Sequence, residues 1–381
     1  MKNKNIIILC KVVDNYGDIG VVYRLAKALS DIEPSLNLTI VCSNLESFAK
    51  MADGINPSFK NQTFNYKQSS WTVLDWQQDD NFKPEQTPFP IVLECFQCGR
   101  PDWLENILFA EKSQEIFHIF NIEYLTAEDY ADDFHLLKCY TRKSNVKKMF
   151  FMPGFTNKTA GLLLDKTFLQ TLNDTKSKKT DSSNFNVTIF SYERDFTRVF
   201  NSLNEVQKIK QGQNPAFKVN VLAANGKSLK FVKDAWNKTG RKVNLVELKF
   251  LSQEEWDKVL CSSDFNFVRG EESLARASFT GKPFFWHAYV QDENYQLVKV
   301  NALLSKIEPF FTDKELFAKF NALWNEYNTP DCQLNQQNLT GILLSAADNK
   351  LNAAFAGFAE NLLKNGNLAE NLINYLESQG L

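Results

Sequence analysis

The N-terminal segment constrains the fold most strongly, because it reads as a strand, a turn, a helix and a second strand. Residues 5–13 are apolar and rich in β-branched side chains. Apolar residues then recur at helical spacing over residues 19–29, and residues 38–42 supply the second strand. Two strands joined in this way are expected to be parallel, with a right-handed crossover. The pattern predicts an α/β layer structure for the N-terminal half.

The second half repeats this plan after a polar segment. Residues 174–186 lack apolar periodicity, as is typical of an exposed linker, and alternating strand and helix patterns resume beyond them. We therefore predict two Rossmann-like domains that face each other across a cleft, followed by C-terminal helices that pack back toward the first domain. The predicted boundaries are residues 1–173 for the first domain, 174–186 for the linker, 187–345 for the second domain and 346–381 for the C-terminal helices.

Composition and charge exclude several classes of protein. With 44% hydrophobic and 23% charged residues the 381-residue chain is an ordinary globular sequence, and its net charge of -2 offers no global field for nucleic acid or anionic membrane. No apolar stretch approaches the roughly 18 residues that a membrane span needs. We expect a cytoplasmic protein that binds neither nucleic acid nor membrane.

Cysteine and histidine give no metal or redox signature. The seven cysteines are an odd number, and most lie in apolar runs, so no disulfide framework is expected. Cys95 and Cys98 have the spacing of half a zinc site or of a redox pair, but no second pair follows them. The three histidines are not spaced like metal ligands. We interpret Cys95 and Cys98 as structural and predict no metal and no cofactor.

The first turn after a strand carries two carboxylates, Asp14 and Asp18, on either side of Gly17. Sites of α/β proteins are built at this end of the strands. The turn has only a fragment of the G-x-G-x-x-G pattern, and its acids would repel a pyrophosphate, which argues against an NAD oxidoreductase. Asp18 could instead simply cap the helix that begins near Ile19, while Asp14 fixes the turn.

A second candidate loop lies at residues 269–273, between a predicted strand and a predicted helix. Gly270 permits a tight turn, and the N–H groups of Glu272 and Ser273 at the helix start can bind a phosphate, with Arg269 adding a charge-assisted contact. The alternative interpretation is a capping box around the turn.

Two weaker features lie elsewhere in the second domain. Tyr289, Gln291 and Asp292 follow a predicted strand and are of the types that bind sugar hydroxyls. Phe190 and Phe250 each end a predicted strand, where an aromatic ring can stack on a base, although in a chain with 32 Phe core packing is the more common explanation for either.

The two-domain layout suits GT-B nucleotide-sugar glycosyltransferases, some dehydrogenases and some binding proteins, so the fold leaves the chemistry open. Four motifs narrow the choice. In them the chain resembles the family of elongation factor P arginine rhamnosyltransferases, EarP; the motifs lie at residues 14–20, 121–129, 151–156 and 266–273.

The resemblance implies a GT-B enzyme that transfers L-rhamnose from dTDP-β-L-rhamnose, with inversion, to an arginine of translation elongation factor P, which then rescues ribosomes stalled on polyproline. It implies the following roles: Asp18 as general base, Asp14 as its companion acid, Glu271 as a further acid, Phe190 and Phe250 stacked on thymine, Gln253 near the base, and Arg269, Gly270, Glu272 and Ser273 around the diphosphate. Sugar or acceptor contacts are expected from Asn15, Tyr16, Gly17, Tyr289, Gln291 and Asp292.

The physical argument agrees with the resemblance, because an arginine guanidinium has a pKa above about 12 and must be surrounded by carboxylates to react. Two alternatives stay open: a GT-B transferase with a small-molecule or lipid acceptor, and a non-catalytic nucleotide-sugar binding protein. The chain departs from the family pattern at Glu272, where Asp is usual, and at Gln296, where His is common.

Overall fold

The computed structural model describes residues 1–13, 16–79, 82–84, 87–176 and 183–381. These residues form two compact units. Unit 1 comprises residues 1–166 and 364–381, and unit 2 comprises residues 167–363. Each unit contains its own, largely parallel sheet.

Unit 1 consists of a sheet and the helices that cover it. Its strands are β1 (Asn5–Cys10), β2 (Asn37–Cys42), β3 (Asn61–Tyr66), β4 (Ser69–Asp75), β5 (Ile91–Cys95), β6 (Phe117–Ile122), β7 (Lys138–Cys139) and β8 (Val146–Phe151). Its helices are α1 (Gly17–Ile32), α2 (Leu45–Ala49), α3 (Asp102–Leu108), α4 (Tyr130–Phe134) and the C-terminal α14 (Leu368–Ser378).

The strands of unit 1 lie in the order β3-β4-β2-β1-β5-β6-β8-β7. The pairings are parallel except at the two edges, where β3 and β7 run antiparallel to their neighbours. Successive residues of β1 alternate between two cores: Ile6 and Ile8 lie in one apolar cluster, and Ile7 and Leu9 lie in another. Both faces of β1 are therefore buried, as the continuous apolar run predicts.

Unit 2 has the same kind of architecture. Its strands are β9 (Asn184–Ile189), β10 (Lys218–Ala223), β11 (Asn244–Glu247), β12 (Phe265–Arg269) and β13 (Phe284–His287), in the order β11-β10-β9-β12-β13 with parallel pairings. Its helices are α5 (Lys166–Lys176), α6 (Thr197–Gln211), α7 (Leu229–Lys238), α8 (Gln253–Ser262), α9 (Glu271–Phe279), α10 (Tyr295–Ile307), α11 (Lys314–Asn328), α12 (Gln336–Ala347) and α13 (Asn352–Lys364), with short 3-10 turns at Asp292–Asn294 and Glu308–Phe310.

Each sheet has one point at which the strand order reverses. In unit 1 the chain moves from β1 outward through β2 and then returns to β5 on the other side of β1. In unit 2 it moves from β9 outward through β10 and β11 and returns to β12 on the other side of β9. Loops after the strands at such switch points splay apart and leave room for a ligand. The site is therefore expected at the carboxyl ends of β1 and β5 in unit 1, and at those of β9 and β12 in unit 2.

The observed boundaries differ from those expected from the sequence. The division falls after Lys166 rather than at residue 173, because Phe168 of α5 is buried against Phe279 of unit 2. The expected linker at 174–186 begins inside α5 and ends inside β9, and its residues 177–182 lie outside the described part. The C-terminal segment is divided as well, since α13 belongs to unit 2 and α14 to unit 1.

Two local predictions also need correction. α1 begins at Gly17 instead of near Ile19, and the residue before its first turn is Tyr16, so Asp18 lies inside the helix and is not its cap. The strand expected to reach Phe250 ends at Glu247. In the part of the chain that the structure describes, no helix is both long enough and apolar enough to span a membrane.

Candidate active site

Asp18 lies in the first turn of α1, directly after β1, and is only 2% exposed. One of its carboxylate oxygens, Oδ2, accepts a hydrogen bond from the backbone N–H of Val13 at 2.7 Å. The other, Oδ1, accepts one from the hydroxyl of Tyr124 at 3.0 Å. These two donors help to fix the orientation of the carboxylate.

Tyr124 itself is held by the loop that follows β5. Its ring stacks on Phe96 with 4.3 Å between the ring centres and an angle of 14° between the planes. Phe96 and Gln97 both adopt left-handed backbone conformations, with φ of 61° and 49°. Such conformations are unfavourable outside glycine and are found at sites whose surroundings enforce them. The loops after β1, β5 and β6 therefore meet around Asp18 at the switch point of unit 1.

The other predicted residues of this turn are placed only in part. Tyr16 is 37% exposed and immediately precedes α1, and Gly17 is the first residue of that helix. Asp14 and Asn15 lie outside the described residues. The carboxylate pair expected from the sequence is therefore represented by Asp18 alone.

Arg269 ends β12 at the switch point of unit 2. Its guanidinium carbon lies 4.7 Å from the centre of the Phe190 ring and 4.8 Å from that of Tyr192. Its Nε is buried and has no hydrogen-bond partner, and no ion pair joins the side chain to a carboxylate within the described residues. Aromatic faces stabilise a cation without neutralising it, so this guanidinium can still bind an anion.

The start of α9 adds backbone donors next to Arg269. Gly270 precedes the helix with a φ of 72°, and the space around the position of its missing Cβ is open for 4 Å. The N–H groups of Glu271, Glu272 and Ser273 lie in the first helical turn, where no earlier carbonyl of the helix accepts them. Gly270 has no side chain with which to cap the helix, so the capping-box alternative for this loop is wrong.

The side chains of this turn have different surroundings. Ser273 is 3% exposed, and its hydroxyl accepts a hydrogen bond from Nε1 of Trp256 at 3.2 Å. The carboxylate of Glu272 lies 4.0 Å from Nε of Arg276, one turn further along α9. Glu271 is the first residue of the helix, and Gln253, the first residue of α8, is buried. Ser273 and Gln253 are therefore both buried within unit 2.

The two candidate stacking residues differ in their exposure. The ring of Phe190 directly follows β9 and meets that of Trp256 edge to face, with 5.2 Å between centres. Phe250 lies between β11 and α8 and is 53% exposed. Phe190 therefore belongs to the same cluster as Arg269, whereas Phe250 presents an exposed aromatic face.

The loop after β13 carries the candidate hydroxyl-binding residues. Tyr289 is 66% exposed, and its ring meets that of Tyr192 edge to face at 5.7 Å. Asp292 begins a short 3-10 turn. The backbone N–H of Gln291 donates to Oε1 of the fully buried Gln296 at 3.1 Å. Gln296 thus anchors this loop from the interior, at a position where the family pattern has His.

The cysteine pair whose spacing resembles half a metal site lies at the end of β5 and in the loop that follows it. Cys95 and Cys98 are free thiols, and burial raises the pKa of Cys98 to about 12. Within the described ranges, no three or more side chains of His, Cys, Asp or Glu are grouped so that they could hold a metal ion.

Several residues of these clusters were not among the candidates from the sequence. Tyr124 lies in the motif at residues 121–129, whose spacing suggested a family but not a role. Tyr192 lies two residues beyond Phe190, and its position just after a predicted strand is a signal that could have identified it. Phe96 and Trp256 gave no sequence signal, because their contacts depend on loops that come together only in the folded sheet.

A comparison with known families identifies the chain. Residues 6–377 match the model of the elongation factor P (EF-P) rhamnosyltransferase EarP. The chain belongs to the EarP family. A protein-arginine rhamnosyltransferase of Shewanella oneidensis is 30% identical over 374 residues, which cover 88% of this chain and 90% of that protein. One of Pseudomonas putida is 30% identical over 339 residues, which cover 84% and 86%.

Solved structures agree on the fold. A structure of EarP, which explains arginine glycosylation of translation elongation factor EF-P, matches 99% of both chains with a TM-score of 0.59 and 19% identity. A Listeria monocytogenes protein assigned as a UDP-N-acetylglucosamine 2-epimerase matches 99% of this chain and 96% of its own, with a TM-score of 0.53 and 12% identity. The predicted α/β fold of the GT-B kind, with C-terminal helices, is confirmed.

Proposed function

We propose that this chain is a protein-arginine rhamnosyltransferase that transfers L-rhamnose from dTDP-β-L-rhamnose to an arginine of elongation factor P, with inversion at the anomeric carbon. The observation that carries the proposal is the family match over residues 6–377. Relatives that are 30% identical over most of their length and are named for this activity support it. The charge and geometry of the two switch points agree with this chemistry.

The donor is assigned to unit 2. A dTDP-sugar presents a thymine ring and a diphosphate, which call for an aromatic face and for cationic or N–H donors. Phe190 and the exposed Phe250 offer aromatic faces, and Gln253 offers an amide near them. Arg269 and the first turn of α9 offer the donors for the diphosphate. Glu272, Ser273 and the loop of Tyr289, Gln291 and Asp292 complete the proposed donor contacts.

The acceptor is assigned to unit 1. A protein arginine arrives as a cation, so its site must be acidic. Asp18 is a buried carboxylate that accepts hydrogen bonds from the backbone N–H of Val13 and from the hydroxyl of Tyr124, which help to fix its orientation. The family resemblance implies two further acids, Asp14 and Glu271, and in our proposal they hold the guanidinium by charge-assisted bonds.

The chemical step is a single displacement at the anomeric carbon. A guanidinium nitrogen of the acceptor attacks that carbon as the bond to the diphosphate oxygen breaks, and the electron pair of this bond leaves with dTDP. The nitrogen gives up one proton, which Asp18 accepts as general base. Arg269 and the N–H groups of α9 stabilise the charge that develops on the leaving dTDP. Attack from the face opposite the leaving group inverts the configuration.

The proposal assigns no role to a metal or an organic cofactor, since the leaving group is stabilised by residues of the chain itself. It also places the reaction in the cytoplasm, where the acceptor, a translation factor, is found. Activity in the presence of a chelator, compared with activity in added Mg²⁺, tests the first of these two points.

Intact mass spectrometry of elongation factor P after incubation with this protein and dTDP-β-L-rhamnose tests the function. We expect one deoxyhexose increment, located on an arginine by fragmentation. An Asp18→Asn variant should lose about 100-fold or more of the turnover, as is typical of a lost general base. Donor binding without any increment would refute the proposed acceptor, and near-normal turnover of Asp18→Asn would refute the proposed base.

A further inference from the structure

A buried polar network lies directly behind the proposed donor site and has no role in the function proposed so far. The hydroxyl of Ser191 lies 2.8 Å from Nδ1 of His287 and 2.7 Å from the hydroxyl of Tyr327. Ser191 is fully buried, Tyr327 is 1% exposed and His287 is 5% exposed. The network joins the end of β9, the end of β13 and the last turn of α11.

The protons of this network can be placed by counting donors and acceptors. Ser191 and Tyr327 each carry one hydroxyl proton, and their hydroxyls have no other partners among the described residues. If Tyr327 donates to Ser191 and Ser191 donates to Nδ1 of His287, both protons are bonded. If Nδ1 carried the proton instead, one hydroxyl proton would be left without an acceptor in a buried place, which is unfavourable. The neutral ring therefore carries its proton on Nε2.

The surroundings also keep His287 neutral. Burial and, to a smaller extent, the positive charges of Arg194 and Arg269 together lower its pKa to about 3. Tyr327, which is buried beside it, has a pKa raised to about 12 by the same loss of solvent and stays protonated. Near neutral pH the network therefore consists of a neutral imidazole, an alcohol and a phenol.

The second ring nitrogen, Nε2, is available for a ligand. In the described part of the chain it has no hydrogen-bond partner. The buried polar atoms there that lack a partner do not include it, so it is accessible to solvent. His287 pairs in register with Arg269 on the neighbouring parallel strand. The ring of Tyr192 meets His287 edge to face at 5.3 Å and also stacks with the Arg269 guanidinium. The Nε2 donor and the Arg269 cation thus belong to the same edge of the sheet.

We propose that His287 binds the donor, and that Ser191 and Tyr327 fix its tautomer so that Nε2–H donates a hydrogen bond to an oxygen of the diphosphate. The inference rests on the proposed function of unit 2. His287 is then a neutral donor beside the cationic Arg269, while Ser191 and Tyr327 are positioning residues that do not touch the ligand themselves.

Nitrogen-15 NMR of histidine-labelled protein tests the tautomer without any change to the site. The chain has three histidines, so the loss of one signal in His287→Asn assigns this residue. We expect the coupling pattern of a neutral ring protonated on Nε2, and a shift of the Nε2 resonance when dTDP is added. A ring protonated on Nδ1, or a resonance that does not move at saturating dTDP, would overturn the proposal.

Calorimetric binding to two ligands locates the contact. The shorter side chain in His287→Asn keeps an acceptor for Ser191 but cannot supply Nε2–H, so we expect its affinity for dTDP to fall about tenfold or more, with thymidine affinity unchanged. Ser191→Ala should weaken dTDP less and give a mixture of tautomers. Thr188→Val is the matched control. It removes a buried hydroxyl of β9, which lies 2.5 Å from the hydroxyl of Ser263, and it should bind dTDP normally.

The outcomes separate this inference from the function on which it rests. If the wild-type protein does not bind dTDP, the proposed function and this inference both fail. If it binds dTDP and His287→Asn binds equally well, only the inference fails. A variant that weakens dTDP-rhamnose but not dTDP would place the contact on the sugar and refute the diphosphate assignment. Thermal unfolding of each variant shows whether a loss of affinity comes from a loss of folding.

Discussion

Replacing Arg269 with methionine should weaken the binding of dTDP strongly while leaving the stability of the protein almost unchanged. The methionine keeps an apolar stem between the rings of Phe190 and Tyr192 but has no charge. In the unbound protein Arg269 gains a cation–π attraction of about 0.5–2 kcal/mol. Its buried, unpartnered Nε costs about 1–3 kcal/mol. These two effects oppose each other, so we expect the free energy of unfolding to change by less than about 1–2 kcal/mol.

The loss in binding is larger because nothing offsets it. One hydrogen bond from a charged group contributes about 1.5–3 kcal/mol, which corresponds to about a 10- to 150-fold increase in the Kd for dTDP. Thymidine has no phosphate, so its Kd should not change. Titration calorimetry with both ligands and thermal unfolding measure these quantities directly.

Arg241→Met provides the matched control. Arg241 also lies over an aromatic ring of unit 2, at 5.2 Å from the centre of Trp236, but it is far along the sequence from the switch point and bonds to Asn237 on the surface. This variant should bind dTDP and thymidine as the wild type does. If Arg269→Met unfolds several degrees earlier and binds dTDP normally, Arg269 is a structural residue and the reasoning is wrong.

Three further predictions concern unit 1. Tyr124→Phe removes a hydrogen-bond donor that orients Asp18, so kcat should fall about tenfold with the Kd for dTDP unchanged, as steady-state kinetics and calorimetry will show. Gly161→Ala should lower the free energy of unfolding by well over 1 kcal/mol, because its φ is 75° and its Cβ would lie 2.9 Å from a backbone oxygen. Gly99→Ala, with a φ of 73° and open space around it, should lower the free energy of unfolding by only about 1 kcal/mol. Denaturant titration of the two glycine variants measures this difference. Burial lowers the pKa of His135 to about 4, so the folded state binds fewer protons than the unfolded state below pH 6.5. The free energy of unfolding should therefore decrease as the pH falls from 6.5 toward 4, and His135→Gln should reduce that slope.

The sequence predicts those parts of the fold in which local pattern and burial coincide. β1 is a fully buried strand, and its apolar run predicts the correct first residue, Asn5, but an end three residues beyond the observed one at Cys10. The strands β3 and β4 were missed, because they form a hairpin at the sheet edge in which only Phe64 of β3 is buried. An edge strand has one free side and a largely polar sequence, so its pairing depends on neighbours that are distant in the chain.

The boundary between the units shows a second limit of the sequence. The apolar face of α14 was recognised, but a hydrophobic stripe does not reveal which core it covers. Leu368, Leu372 and Leu376 pack into the apolar cluster of unit 1, more than 300 residues from β1 in sequence, whereas the preceding α13 stays with unit 2. Only the long-range packing decides this division.

The part of the candidate site that the sequence predicts is the turn that needs a glycine. Gly270 adopts a positive φ, and the loop that contains it was identified from its glycine next to an arginine. The contacts of Arg269 with Phe190 and Tyr192 could not be predicted, since they join loops of β9 and β12 that are separated by about 80 residues and become neighbours only through the reversal of strand order.

The charges of the two switch points provide an independent argument for the division of roles. The proposed reaction combines a cationic acceptor with an anionic diphosphate donor, and a site that attracts one of them repels the other. At the switch point of unit 1 Asp18 provides a buried carboxylate, while at that of unit 2 Arg269 provides a guanidinium whose Nε is buried. Exchanging the two ligands would bring like charges together at both points. In the proposal, the same topology serves two opposite binding tasks, because the loop at the switch point carries Asp18 in unit 1 and Arg269 in unit 2.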